Sequence, residues 1–506
     1  MRPITTTCAA LVAILLARDT LAQTFVDRTT ELGITGGGEH AAWGDVNGDG
    51  WPDLWMGGAL WINHEGRSFT RVDAPGAGVI ADIDNDGLGE LVSFAPPGVA
   101  RMVRASGAED AVRGVPVHDL PVRDLPLRDL PLRGVPVQAL PELPATVARG
   151  AAVGDFNDDG FVDIYIGGFE NWETQTTFPS FLLLNDHGKS FTLASSTSDR
   201  RARGITACDF DEDGDLDIYA SNYRLQPNTL LVNDGHAKFA DEAAKRNALA
   251  TSDGFAGGHS IGACFGDFDD DGHIDLFAGN FAHVDSRGDQ PKSRFLRNGG
   301  PAKQFAFDDM HECGIAYQES YASPACGDFD NDGALDLFFT TVYADASFGK
   351  KNFPVLYRNE STAREAWAFK DVTAGSGLAN LPPTYQAAWA DFNRDGRLDL
   401  VTAGRLYVNT TATVGHWLEV HLLGDGATIN RDAIGAQVRI ALPDGRTLVR
   451  EVEAGTGEGN ANSPILHFGL GAFAGPAKLE IRWPNGAKRT VDATEIDRAI
   501  DVKFAP

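Results

Sequence analysis

The chain has 506 residues, a net charge of −28 and 43% apolar residues, so it is built to fold and is not a disordered acidic tail. Its 57 glycines point to many turns, and its length allows two or three domains or one large closed array. The acidity argues against nucleic acid or an anionic membrane surface as a partner, because both demand a basic face.

The first predicted element is a signal peptide over residues 1–22. Arg2 precedes an apolar run from Cys8 to Ala17, and Thr20-Leu21-Ala22 places small residues around a cleavage point near Ala22/Gln23. Cys8 lies before the apolar run, unlike a lipoprotein cysteine. No later segment is long and apolar enough for a spanning helix, so the expectation is a secreted, cell-envelope or periplasmic protein without membrane insertion.

From residue 45 onward a nonapeptide, Asp-x-[Asp/Asn]-x-Asp-Gly-x-x-[Asp/Glu], recurs seven times. The copies hold 29 of the 71 acidic residues and only Arg394 and Arg397 as bases, so nearly all the excess charge is local. Side-chain oxygens at positions 1, 3, 5 and 9 and the carbonyl of position 7 can converge on one ion, with glycine at position 6 for the sharp turn. The predicted ligands of the first copy are Asp45, Asn47, Asp49, Trp51 and Asp53, and of the second Asp82, Asp84, Asp86, Leu88 and Glu90. The third offers Asp155, Asn157, Asp159, Phe161 and Asp163; the fourth, Asp209, Asp211, Asp213, Asp215 and Asp217. In the fifth they are Asp267, Asp269, Asp271, His273 and Asp275. The sixth has Asp328, Asp330, Asp332, Ala334 and Asp336, and the seventh Asp391, Asn393, Asp395, Arg397 and Asp399. Hard oxygen donors in this number suit Ca²⁺, up to seven ions. An EF-hand is excluded, since position 12 is Met56, Ser93, Ile166, Ala220, Ala278, Phe339 or Thr402 where a glutamate is required.

Each copy follows a stretch of small and aromatic residues, and six precede a short aromatic or β-branched run, so the loops are bracketed by strands. A second theme follows: an apolar pair, Asn, a glycine turn and an aromatic, as in LLLNDHGKSF at 182–191. Four strands per repeat at this spacing predict an all-β chain whose residues 23–412 form a seven-bladed β-propeller. The last repeat supplies three strands, and the segment at 24–34 resembles 369–379, so the N-terminal strand is expected to complete blade seven. A pentapeptide array with proline at every fifth residue (113–144) reads as an extended surface insertion. Cys208, Cys264 and Cys326 lie on expected buried strands, and Cys313 and Cys326 are close enough in sequence to pair.

These loops resemble FG-GAP/VCBS-type repeats of the kind found in the integrin α-subunit propeller. Residues 413–506 change character: GHWLEVHLLGDGATINRDAIGAQVRI, LHFGLG and IRWPNGAKRTV resemble the ASPIC/UnbV domain. The combination is similar to the cartilage acidic protein family and its bacterial relatives, and departs from it in the Pro-rich array, in Glu90 and in lacking a downstream EGF-like module. The resemblance implies a secreted calcium-binding propeller followed by a small β domain and supplies no chemistry. Read directly, 416–491 alternates as strands of a small sandwich or barrel, with Trp417, Phe468 and Trp483 as core residues.

If the acidic loops share one propeller face, the opposite face gathers four long loops carrying Trp172, Tyr223, His283 and Tyr343, and entry loops carrying His40, His259, Tyr321 and Tyr385. Such a face is a candidate ligand surface. No nucleophile elbow, zincin helix or phosphate-binding glycine loop occurs. The expectation is therefore a binding or adhesion module for a glycan, matrix or surface protein; the alternative is a polysaccharide lyase or hydrolase acting at this same face. An RGD tripeptide at 287–289 and glycosylation-type sequons at Asn359 and Asn409 complete the motifs.

Overall fold

The computed structural model describes residues 24–74, 76–93, 101–103, 147–197, 200–285, 288–362, 366–412 and 414–505. The expected signal peptide, the Pro-rich array and Arg287 of the RGD tripeptide lie outside these residues. Apart from two 3-10 turns, the regular structure of the described residues is all β.

Each acidic loop joins the first two strands of its own antiparallel sheet. In all seven, the residue before position 1 pairs with position 9, from Gly44 with Asp53 to Ala390 with Asp399. Six sheets have four strands, and the second shows three among the described residues, 78–81, 90–93 and 101–103. The first strands pack side by side in a closed ring, running from 41–44 through 78–81, 148–154, 202–208, 259–266 and 321–327 to 387–390, and so back to 41–44. These strands are rich in Ala and Gly and buried along nearly their whole length. Fourth strands bury a leading Phe and expose much of the remainder, as in Phe69–Asp73 and Phe191–Thr197. Small side chains near the axis and a mostly solvated outer strand are what radial packing of sheets requires.

The ring closes as the sequence predicts. Phe25–Asp27 pairs with Arg405–Asn409 and becomes the fourth strand of the last sheet. Phe25 then packs on Phe329 of the preceding blade with ring centroids 6.0 Å apart. Equivalent contacts join Phe69 to Phe392, Phe239 to Phe156, Phe307 to Phe210 and Phe369 to Phe268, each between the start of a fourth strand, or the residue just before it in the case of Phe239, and position 2 of the previous blade's loop.

The C-terminal region is a two-layer sandwich. One sheet orders 466–471, 416–423 and 498–503, the last two strands parallel; the other orders 447–451, 437–441, 477–482 and 488–493. Leu418, Val420, Val438, Ile440, Phe468 and Ile481 bury into a shared core, which is the sandwich rather than the barrel option. Phe468 and Trp483 are core residues as expected, whereas Trp417 lies at the propeller: a Cβ on Gly396 would stand 2.1 Å from its ring.

This sandwich sits on the acidic-loop face and sends a finger, 454–463, into the propeller axis. Ala461 exchanges backbone hydrogen bonds with Ala41 and Trp43, Val153 donates to Ala454, Gly457 donates to Ala263 and Ser463 donates to Trp389. Thr206 donates to the Gly455 carbonyl, and Glu458 N–H donates to Ser323 Oγ. Six of the seven first strands therefore hold the finger. Gly204 and Gly262 make room for it, since a Cβ at either would meet Gly457 backbone within 2.7 Å.

Three smaller expectations are corrected. All four described cysteines are free thiols, so Cys313 and Cys326 do not pair. Cys326 instead donates to the Phe265 carbonyl across two blades. Asn359 and Asn409 are buried with their amides engaged inside the ring, so they are not exposed acceptors for glycosylation.

Candidate metal centres and the opposite face

The seven loops share one local design. Position 4 (Gly48, Asn85, Asp158, Glu212, Asp270, Asn331, Arg394) has positive φ in every copy, as does the position 6 glycine. Position 1 anchors the turn: in loop six, Asp328 accepts from Asp332 N–H (3.2 Å) and Gly333 N–H (2.8 Å). Position 5 in turn accepts the N–H of position 7, as Asp332 does from Ala334 at 2.9 Å. The same bonds place Trp51, Leu88, Phe161, Asp215, His273 and Arg397.

Carboxylate oxygens within 4.8 Å of one another are brought together in four loops: Asp82/Asp84/Glu90, Asp209/Asp211/Asp217, Asp267/Asp269/Asp271 and Asp328/Asp330/Asp332. The other three have Asn at position 3, and Asn47, Asn157 and Asn393 instead donate to the position 5 carboxylate. Burial pushes Asp163 and Glu90 up to about 8 and Asp155 up to about 6, and it raises Asp275, Asp336 and Asp399 well above the usual carboxylate range. Neighbouring like charges add to the effect in each loop. Concentrated, buried, acceptor-only oxygens that resist ionisation are the donor set a hard divalent cation relieves. Loops four and five also draw arginines: Arg482 and Arg246 reach Asp209 and Asp211, and Arg297 bonds Asp269 (2.7 Å) and Asp271 (2.9 Å).

Position 9 has a second task that the motif does not reveal. Asp275 accepts the N–H of Asn298 at 2.7 Å and that of Phe268 at 2.9 Å. Asn298 is the recurring asparagine of the third strand, and its amide donates to Phe210 O (2.8 Å) of the previous blade's loop and to Ile274 O (3.0 Å) of its own. Asn63, Asn185, Asn233, Asn359 and Asn409 repeat the bridge to Phe392, Ile83, Phe156, Phe268 and Phe329. Six of the seven loop-to-loop junctions are thus tied by an asparagine, and five of those six by an aromatic pair as well.

The sandwich touches these loops directly. Asp82 N–H donates to Asp432 (2.7 Å), Arg431 N–H to Asn85 (2.8 Å), Gln437 to Asp209 O (2.9 Å) and Thr447 N–H to Asp270 O (2.9 Å). His467 Nε2 lies 2.7 Å from Asn331 Oδ1. Position 4, with no predicted role, is therefore the docking contact in loops two, five and six.

At the far end of the finger, Glu458 emerges among the residues predicted for the opposite face. Arg203 donates to its Oε1 from Nε (3.0 Å) and Nη2 (2.6 Å), and Arg149 Nε stands 3.5 Å from the same oxygen. The Arg203 guanidinium lies 5.1 Å from the Phe169 ring and 5.2 Å from those of Tyr223 and Tyr385. Burial alone would depress Arg203, but Glu458 and Tyr385 hold it charged. Burial, with Arg149 and Arg203 nearby, pushes His40 down to about 3, so it is neutral.

Tyr223, His259 and His283 meet edge to face in series, with centroids 4.9 and 5.6 Å apart, and His283 pairs with Glu319 at 3.0 Å. Trp172 and Tyr343 are exposed further out, Trp172 over Arg224 at 4.0 Å. Tyr321 does not belong to this face: it is buried within its blade, its hydroxyl 2.7 Å from that of Tyr357. Arg149, Arg203 and Glu458 were not among the predicted site residues, and the spacing of single residues in the sequence carries no signal for them.

An FG-GAP-like repeat model matches residues 155–220, 209–278, 267–339 and 328–402, and the ASPIC and UnbV model matches 426–505. Cartilage acidic protein 1 of Mus musculus is 23% identical over 70% of this chain and 51% of its own length. That of Homo sapiens is 24% identical over 60% and 44%. The chain spans about half the length of these curated relatives. Among solved structures, an Agrocybe aegerita lectin recognising non-reducing terminal N-acetylglucosamine covers 70% of this chain and 86% of itself, at 14% identity and a TM-score of 0.38. With repeats, sandwich and sequence matches in agreement, the chain carries FG-GAP-like repeats followed by an ASPIC/UnbV domain.

Proposed function

We propose that the protein is an exported, calcium-stabilised β-propeller that acts as a binding or adhesion module for a glycan, matrix or surface protein. The observation that carries the calcium reading is the gathering of carboxylates, at least one of them buried in each, within 4.8 Å in four loops, with burial opposing the ionisation of Glu90, Asp209, Asp267 and Asp328. Ca²⁺ supplies the charge that such a site lacks, and a site held at 100 times its Kd adds about 2.7 kcal/mol to stability. Asp82, Asp84 and Glu90, with the carboxylates gathered in loops four to six, are its principal ligands, the Asn-containing loops being weaker. Binding through the opposite face is supported by the open rings and ion pairs there, and by the coverage of the loop face by the sandwich. No helix among the described residues is long and apolar enough to cross a membrane.

Melting the protein in millimolar Ca²⁺ and in excess chelator tests the first part; the expected result is a drop of 10 °C or more in chelator on the order implied by several linked sites. An unchanged melting temperature would remove the calcium reading. A glycan and surface-protein binding screen with product analysis tests the second, because turnover of a bound polysaccharide would replace the binding module by an enzyme.

A further inference from the structure

We propose that Arg482 of the sandwich sets the calcium affinity of loop four, its guanidinium opposing the ion at Asp209. This deepens the calcium reading and rests on it. Glu451, Gln437 and Arg482 stand side by side on one rung of the second sandwich sheet, with Gln437 paired to Glu451 on one side and to Arg482 on the other. All three close on Asp209, position 1 of loop four. Its N–H donates to the Glu451 carboxylate at 3.3 Å, its carbonyl accepts from Gln437 at 2.9 Å, and its carboxylate pairs with Arg482 through Oδ2. One residue of a propeller loop is thus clasped on every polar group by the other domain.

The clasp changes the loop. In the other six copies, Oδ1 of position 1 accepts the N–H of position 5 at 3.0–3.3 Å. In loop four, Asp209 Oδ1 has no hydrogen-bond partner among the described residues. Asp211 Oδ1 and Asp217 Oδ2 are open in the same way, while the second oxygen of each is held. Arg246 donates to Asp211 Oδ2 at 3.1 Å, and Asn233 N–H donates to Asp217 Oδ1 at 2.8 Å. Asp209 and Asp217 are each 1% exposed. Three carboxylates that gather within 4.8 Å, each with one oxygen anchored and one open, are a cation site already oriented.

What opposes the cation is Arg482. It is buried, Asp209 is its one ion pair among the described residues, and its Nε and Nη2 meet no acceptor among them. Arg246, by contrast, shares its charge with Glu242 at 2.8 Å. A buried guanidinium on one oxygen of a ligand carboxylate draws on the charge that Ca²⁺ uses at the other, and repels the ion at short range. Gly214 N–H also donates to Asp209 Oδ2, at 3.0 Å, so the carboxylate keeps an anchor when the guanidinium is removed. Arg482 therefore acts through its charge, and the sandwich weakens one site of the propeller.

The test counts Ca²⁺ bound to the full chain by native mass spectrometry across a series of free Ca²⁺ concentrations. Arg482→Met should fill one ion at a free concentration at least about tenfold lower than the parent does, with the other ions unmoved. Arg482→Lys, which keeps the charge, should fill as the parent does. Arg482→Gln removes the charge and keeps a donor, and gives the same shift as Arg482→Met if the latter does not fold. Asparagine stands at position 3 of loops one, three and seven, so the loop accepts Asp211→Asn. In the Arg482→Met background that change should return the gained ion to a higher concentration. Arg482→Met filling at the parent's concentrations or above them, or Arg482→Lys shifting as Arg482→Met does, would overturn the assignment and leave the calcium reading standing. A folded parent that binds no Ca²⁺ at any concentration would overturn both.

Discussion

Asparagine and aspartate divide the work of each repeat in a way that their spacing conceals. The sequence marks Asp275 as a metal ligand and Asn298 as the end of a strand; in space they are bonded, and Asn298 ties two blades. Its amide also accepts from Gly300 N–H at 3.0 Å. Asn298→Ala leaves three buried backbone groups without partners, so it should destabilise the protein by about 2–4 kcal/mol in chemical denaturation at saturating Ca²⁺. An effect below 0.5 kcal/mol would mean that water replaces the bridge without loss. The recurrence of this asparagine was legible; its target was not, because the partner carbonyl lies 88 residues earlier in the chain.

The acidic loop is the element on which pH acts. Outside metal binding, Asp163 and Glu90 have folded values near 8 and Asp155 near 6, above their ordinary carboxylate values. A group raised on folding contributes stability at pH below its unfolded value, and that contribution is lost as pH rises through its folded value. In chelator, the melting temperature should therefore fall between pH 5 and pH 8. With millimolar Ca²⁺ the trend should flatten or reverse, since the ion needs ionised ligands and holds them so. A melting temperature that rises with pH in chelator contradicts the burial of these carboxylates. The turn itself was readable from the sequence, glycine at position 6 above all. The left-handed residue at position 4 was not, because Asn, Asp, Glu and Arg all occupy it.

At the scale of the molecule, the two domains interlock. The finger at 454–463 reaches six blades, and its tip places Glu458, fully buried, against Arg203, which is 6% exposed. Glu458→Ala leaves a guanidinium buried without its counter-ion and should cost about 3–5 kcal/mol. Propeller and sandwich should then unfold in one transition by circular dichroism and tryptophan fluorescence, at a lower temperature than the parent. Two separated transitions, with the propeller's unchanged, would show that the finger does not couple them. The opposing ends of the chain contribute alike, since Phe25–Asp27 closes the ring and the sandwich fills its axis.

The sequence by itself determined what is periodic and local: seven acidic loops, the strands that bracket them and ring closure by the N-terminal strand. Repetition makes such features visible, because each copy confirms the chemistry of the others. Only the tertiary structure decided what is unique and distant. It buried the sequon asparagines, left Cys313 and Cys326 unpaired, withdrew Tyr321 from the ligand face and set Glu458 beside Arg203 from 255 residues away. Contacts of that kind are made once in the molecule and depend on the finger passing through a ring already closed, so no spacing in the chain encodes them.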